Sequence, residues 1–189
     1  MKIFSIDSSN TKPSISLYDP ERSSFLASES LELKSSSLMP KIQKLFSSVD
    51  LRAQDIGLLA CNIGPGSFTG IRTAVTIAKT MAAELGLKIF VTNNFELIRF
   101  ENKLSENEPV AIKAGKNDYF ISLDSDWNNL ETNFYSAELA QYQLFEFKEK
   151  NISELMIRKY LADPEKILLG YKELEPYYLR EPSIGLVKK

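Results

Sequence analysis

An apolar run, a glycine-rich loop and a long amphipathic helix follow one another in the first half of the chain. The apolar run is Ile56–Ile63, the loop spans Gly64–Gly70, and the helix continues to Leu85, where Gly86 ends it. Such a run is typical of a strand that is buried on both faces, in a sheet covered by helices. The unit therefore predicts a mixed α/β fold with a tightly specified loop at a helix N-terminus.

The flanking patterns extend this unit in both directions. Before it, alternation and turn residues predict strands over Lys2–Ile6, Ser14–Tyr18 and Phe25–Leu31 and a helix over Leu38–Val49. After it, we expect a strand at Lys88–Val91 and a helix at Asn94–Phe100. The polar stretch Glu101–Glu108 is typical of a linker. Beyond the linker, the patterns predict strands Val110–Ala114, Tyr119–Leu123, Tyr142–Phe147 and Ile167–Leu169 and a helix Ile152–Leu161.

Composition excludes several kinds of catalytic site. The 189 residues contain no histidine, which excludes a Ser-His-Asp triad, a Cys-His pair and a histidine-based metal site. The lone Cys61 excludes an intrachain disulfide and fits a reducing cytosol. The net charge of −2 argues against a broad nucleic-acid footprint. No apolar run approaches the ~20 residues that a membrane span needs, so we expect a cytoplasmic chain without membrane contact.

The glycine-rich loop has two interpretations. Free amides and the positive end of the following helix are typical of an anion-binding site. The loop nevertheless fails the P-loop pattern, because Ile71 rather than lysine follows Gly70. Alternatively, Ser67 or Thr69 caps the helix and the glycines only fit the turn. The residues alone favour capping over anion binding, and Ser67 lacks a histidine base that would make it a nucleophile.

Nine consecutive positions carry a family resemblance. The sequence Gly-Pro-Gly-Ser-Phe-Thr-Gly-Ile-Arg at the end of the apolar strand resembles the signature of the TsaB (YeaZ) family. The opening Ile6-Asp7-Ser8-Ser9, the Leu38-Met39-Pro40 segment and the closing Pro176-Tyr177-Tyr178-Leu179-Arg180 are also similar to family motifs. The resemblance is good over the first hundred residues and poor beyond them. The signature positions are Gly64, Pro65, Gly66, Ser67, Phe68, Thr69, Gly70, Ile71 and Arg72.

The resemblance implies the actin-like, Hsp70-like ATPase fold, built from two subdomains of the ribonuclease H-like kind. We expect an N-terminal subdomain over residues 1–100 and a shortened C-terminal subdomain over residues 101–189. One departure lies in the second half, where family members tend to have Ile-Asp-Ala-Arg and this chain has Ile112-Lys113-Ala114-Gly115.

The resemblance also implies a function. TsaB proteins help to make N6-threonylcarbamoyladenosine beside the anticodon of tRNA. We therefore expect a non-catalytic scaffold or activator that pairs with TsaD, with a TsaE-like ATPase assisting and tRNA contacted only indirectly. ATP would be used by the complex, no cofactor would be bound by this chain, and a homodimer would form when TsaD is absent. The alternatives are a small-molecule kinase or ATPase of the same fold and a homodimeric interaction module unrelated to tRNA.

Two further sets of residues complete the expectation. Asp7, Ser8 and Ser9 occupy the position of a phosphate-binding hairpin but include no glycine, so we interpret them as a degenerate phosphate loop without a metal. Two apolar helices offer a surface on which a partner's helices could pack, with the chain's own sheet as the alternative. The interface residues predicted for that surface are Leu38, Met39, Ile42, Phe46, Ala74, Ala78 and Ala82.

Overall fold

The computed structural model describes residues 1–31, 38–126, 129, 133–136, 139, 142–164 and 168–179. These residues contain ten strands, arranged in two β-sheets, and four α-helices. The strands are β1 Lys2–Asp7, β2 Ser14–Asp19, β3 Ser24–Ser30, β4 Ile56–Asn62, β5 Ile89–Thr92, β6 Val110–Lys113, β7 Tyr119–Ser122, β8 Asn133–Ser136, β9 Leu144–Phe145 and β10 Leu168–Leu169. The α-helices are α1 Leu38–Ser48, α2 Phe68–Leu85, α3 Asn94–Asn102 and α4 Ile152–Ala162, and a short 3-10 helix spans Ala53–Asp55.

The first sheet has the strand order β10-β5-β4-β1-β2-β3. Strands β1, β2 and β3 form an antiparallel meander, and β4 and β5 continue the sheet in parallel with β1. The parallel pairs need crossover connections, which α2 provides between β4 and β5. The three-strand meander followed by parallel strands and helices is the ribonuclease H-like arrangement of the actin-like ATPase fold, as the family resemblance implied.

Helices cover both faces of the first sheet. On one face, Phe4 and Ile6 of β1 lie in a hydrophobic cluster with residues of α1 and α2. On the other face, Ile3 lies in a second cluster with residues of α3 and α4. Successive side chains of a strand point to opposite faces, so the alternation along β1 explains both clusters.

A buried polar seam fixes α4 on the first sheet. The Ser153 amide donates to Ser14 Oγ at 2.9 Å, and Ser5 Oγ donates to the Ser153 carbonyl at 2.8 Å. Ser16 and Ser153 share a hydroxyl hydrogen bond of 2.6 Å. Hydrogen bonds satisfy these buried groups, and their geometry specifies where the helix starts on the sheet.

The second sheet has the order β8-β7-β6-β9 and contributes Ile112, Phe120 and Phe145 to the cluster that also holds α1 and α2. After β9 the chain returns to the first sheet, since α4 packs on it and β10 pairs with β5. The division into subdomains over residues 1–100 and 101–189 stays a prediction.

Most predicted elements are confirmed within one to three residues at each end. Strand β8 was missed, because its four residues lie among polar ones and pair only through β7. The strand predicted over Tyr142–Phe147 is shorter, since only Leu144–Phe145 pairs with β6. Ile167 and Arg180, which belong to predicted motifs, lie outside the described residues.

The structure corrects the placement of the predicted partner surface. Ala74, Ala78 and Ala82 are buried in the cluster beneath α2, where they pack on the chain's own sheet. The α1 residues Leu38, Ile42 and Phe46 are buried in the same cluster. Only Met39 of the predicted set is exposed, at 47%. Because the other six residues form part of the core, they cannot offer a surface to another helix.

The burial of Ala78, only 1% exposed, predicts a large loss of stability for Ala78→Glu. The substitution places an unpaired charge in the core, which typically costs several kcal/mol. The matched control is Thr80→Glu on the exposed side of the same helix, which we expect to change the free energy of unfolding by less than about 0.5 kcal/mol. Urea unfolding followed by circular dichroism measures both, and equal stabilities for the two variants would contradict this packing.

Candidate functional site

The signature loop, Gly64–Arg72, connects β4 to α2 and presses against the turn between β1 and β2. A Cβ atom added to Gly66 would overlap the Ser9 carbonyl, and one added to Gly70 would overlap the Ser8 carbonyl. Gly64 has a φ of +110°, a conformation that side chains disfavour. The glycines are therefore required by close backbone contact and by one unusual dihedral angle.

Hydrogen bonds close the start of α2. The Ser67 amide donates to the Ser9 carbonyl at 2.7 Å, and the Gly70 amide donates to Ser67 Oγ at 3.2 Å. Ser67 is thus the N-cap of α2, which confirms the capping interpretation. The amide of Ser67, which an anion at the helix start would use, already has a partner within the protein.

Asparagine side chains connect the loop to the neighbouring strands. Asn62 at the end of β4 donates through Nδ2 to Asn94 Oδ1 at 2.7 Å and accepts from the Gly64 amide at 3.0 Å. Asn94, the first residue of α3, donates to the Pro65 carbonyl at 2.6 Å and to Ser9 Oγ at 3.2 Å. The β1–β2 turn, the signature loop and α3 are therefore held in one buried network.

Asp7 is fully buried within this network. Its Oδ1 accepts from the Ser9 hydroxyl at 2.6 Å and from the Ser9 amide at 3.1 Å, and its Oδ2 accepts from Asn10 Nδ2 at 3.4 Å. Burial raises the pKa of the Asp7 carboxyl above its ordinary value, and the hydrogen bonds from Ser9 and Asn10 partly oppose this rise.

The roles of Asn62 and Asn94 in this network were not predicted, although the sequence contains a signal for them. Asn62 is the last residue of β4 and Asn94 begins α3 just after β5, and the carboxyl ends of parallel strands meet at one edge of the sheet. Asp7 also ends a strand in the middle of this edge. Polar residues at the carboxyl ends of these strands are therefore the sequence signal for the network.

A cleft of about 1520 Å³ opens beside the network, between the first and second sheets. The β1–β2 turn and the signature loop form one wall, and β6 and β9 form the other. Lys113 and Gly115, which stand where the family tends to have Asp and Arg, line the second wall. At this volume the cleft is larger than the roughly 300–1,000 Å³ that is typical of small-molecule pockets.

The arrangement limits the chemistry at this cleft. Among the described residues, no group of three or more His, Cys, Asp or Glu side chains could hold a metal ion. Burial raises the pKa of the Cys61 thiol, so this cysteine is a poor nucleophile. At the start of α2, the Ser67 amide already donates to the Ser9 carbonyl, and the β1–β2 turn leaves no room for a side chain at Gly66 or Gly70.

Residues 29–150, more than half of the chain, match the family described as TsaD, tRNA N6-adenosine threonylcarbamoyltransferase. The chain belongs to this family. Curated relatives carry the name TsaB, so the resemblance of the signature loop to the TsaB (YeaZ) family is confirmed. In the described residues, no helix is both long and apolar enough to cross a membrane.

Two TsaB relatives show how far the similarity extends. The tRNA threonylcarbamoyladenosine biosynthesis protein TsaB of Bacillus subtilis is 34% identical over 101 residues, which cover 52% of this chain and 43% of that protein. The TsaB protein of the Buchnera aphidicola subspecies from Acyrthosiphon pisum is 23% identical over 156 residues, covering 80% of this chain and 71% of that protein. The chain thus spans less than half of the Bacillus relative's length.

Solved structures from Pseudomonas aeruginosa share the fold. YeaZ has a TM-score of 0.65 at 14% identity, over 94% of this chain and 99% of that chain. A protein described as similar to peptidase YeaZ has a TM-score of 0.70 at 14% identity, over 95% of this chain and 99% of that chain. These two matches extend over both sheets.

Close contact at Gly70 predicts that Gly70→Ala destabilises the chain by about 3 kcal/mol, since the added methyl group must push the β1–β2 turn away. The matched control is Gly57→Ala, where the three atoms nearest to the new methyl group all belong to the Met1 side chain, which is flexible because Met1 is 72% exposed. We expect the control to cost less than about 1 kcal/mol in urea unfolding. A control as destabilised as Gly70→Ala would refute the contact.

The raised pKa of Asp7 predicts a specific pH dependence. Above pH 3.8 the unfolded chain releases the Asp7 proton first, so the stability contributed by this residue falls as the pH rises toward the folded pKa. Asp7→Asn cannot titrate. The variant's stability should therefore improve relative to the wild type as urea unfolding is repeated from pH about 4 to pH about 7. A relative loss over this window would contradict a pKa of Asp7 that is raised by burial.

Proposed function

We propose that this chain is a non-catalytic partner subunit in the synthesis of N6-threonylcarbamoyladenosine on tRNA, and that it acts in the cytoplasm by pairing with TsaD. The TsaB names of its relatives support the pathway. A TsaE-like ATPase would assist, ATP would be used by the complex, and tRNA would be contacted only indirectly. Without TsaD, the surface that pairs with TsaD would support a homodimer.

We propose that the chain is not itself the catalyst because the start of α2 is closed by contacts within the protein. An ATPase of this fold needs backbone amides free to receive phosphates. Here the Ser67 amide donates to Ser9, and the adjoining glycines contact the turn. Asp7 is completely buried beneath Ser9, so it is not accessible to a bound ion or substrate. These groups serve the fold instead.

The outward faces of α1 and α2 support pairing through these helices. Their inward residues share one hydrophobic cluster, so the outward residues lie on one side of the first sheet. On α2 the exposed side carries the small polar residues Thr69, Thr76 and Thr80, and on α1 it carries Met39 and Gln43. Small side chains allow close approach of another helix, and an exposed methionine adapts to a partner's surface.

Co-expression with TsaD from the same organism tests the proposal. We expect a heterodimer on size-exclusion chromatography, and threonylcarbamoyladenosine in tRNA, measured by mass spectrometry, when both proteins and the threonylcarbamoyl donor are present. The chain alone should produce none. Thr76→Glu should weaken the heterodimer at least about tenfold, since it places a charge in a helix contact. The control Gln143→Glu, exposed near β9, should bind as the wild type does.

Other results would point to the alternatives. Modified tRNA made by the chain without TsaD would overturn the non-catalytic role. Saturable binding of ATP to the isolated chain in calorimetry would favour a kinase or ATPase of this fold. Unchanged threonylcarbamoyladenosine after depletion of the protein, together with a stable homodimer, would favour an interaction module unrelated to tRNA.

A further inference from the structure

The segment Leu174–Leu179, called the strap here, crosses the signature loop at one end of the cleft. Leu174 is completely buried in the cluster beneath α2. The Tyr177 amide donates to the Ile63 carbonyl at 2.9 Å. The residues that follow, Tyr178 and Leu179, line the cleft. The strap is therefore anchored at its start and forms part of the cleft wall at its end.

Two side chains of the signature loop hold the strap. The guanidinium of Arg72 lies 4.0 Å from the centre of the Phe68 ring, and its Nε donates to the Tyr178 hydroxyl at 2.9 Å. The Phe68 and Tyr178 rings lie 4.8 Å apart. Arg72 is exposed, so neither packing nor burial requires an arginine there. The guanidinium and the two rings form one closed set of contacts.

The glycine at the start of the loop makes room for the strap. A Cβ atom on Gly64 would lie 2.9 Å from the Tyr177 carbonyl oxygen, closer than carbon and oxygen normally approach. Lys79 adds an ion pair of 2.6 Å with Glu175, although this pair is exposed and contributes little. Three positions of the signature, Gly64, Phe68 and Arg72, thus contact the strap directly.

We propose that the signature loop is a latch for the chain's own strap, with Phe68 and Arg72 binding the phenol of Tyr178. The strap closes the α2 end of the cleft while the latch is engaged, and it opens that end when the latch is released. The strap residues after Leu174 are attached through the buried Tyr177 side chain, the Leu179 side chain packed on the same cluster and the Tyr178 latch, so opening stays local to this segment. The proposal does not depend on the pairing with TsaD.

Amide hydrogen exchange of the full chain, followed by NMR, tests the latch. In Arg72→Ala, exchange of the Tyr177 amide should rise about tenfold, the size expected for loss of one charge-assisted hydrogen bond and one exposed cation–π contact. Exchange in β1 should not change. Tyr178→Phe keeps the ring and loses only the hydroxyl, so a smaller rise of about threefold is expected.

The controls separate a latch from general destabilisation. Thr80→Ala, exposed on the same helix, should leave the Tyr177 amide unchanged. Arg72→Ala combined with Tyr178→Ala should open the strap no more than the stronger single variant, because both substitutions break the same contact. The latch is refuted by an unchanged Tyr177 amide in Arg72→Ala, by an equal rise in β1, or by additive effects in the double variant.

Discussion

The backbone contact between the signature loop and the β1–β2 turn is the constraint on which the rest of the structure depends. Gly66 and Gly70 lie against the carbonyls of Ser9 and Ser8, and the Ser67 amide donates to one of them. Any side chain at either glycine would force the two segments apart. This contact sets the start of α2, and with it the position of the helix over the first sheet.

The same contact determines what the cleft can do. The turn and the helix start satisfy each other, since the Ser67 amide donates to the Ser9 carbonyl. Asp7 then has no role toward solvent and becomes a buried, hydrogen-bonded carboxyl. The outward faces of α1 and α2 and the part of the cleft near the strap remain exposed. The proposed partner role uses the two helix faces and does not need the Ser67 amide, which already donates to the Ser9 carbonyl.

Local patterns predicted much of the fold. The buried run of β4, the amphipathic α2 and the cap at Ser67 each have a signal of a few residues, and the structure has all three. Strand β8 lacks such a signal, because its place depends on pairing with β7 rather than on its own four residues.

The site was less predictable, because it depends on which residues the topology brings together. The alanine spacing of α2 correctly predicted a closely packed helix face. Periodicity alone, however, cannot tell whether that face packs against a partner or against the chain's own sheet. Asn62 and Asn94 are 32 residues apart in the sequence and meet only at the edge of the sheet. The contact of Arg72 with Tyr178 joins two motifs 106 residues apart, and neither motif by itself predicts the other.

We propose that the signature loop closes the start of α2 for the fold instead of holding a phosphate. Backbone NMR of the isolated chain, titrated with ATP and magnesium, can test this proposal at the Ser67 and Gly70 amides. We expect that neither amide signal moves and that both amides exchange slowly with solvent before and after the titration. Saturable shifts of these two signals, with faster exchange in the nucleotide-free chain, would show open amides that receive phosphate and would refute the closed helix start.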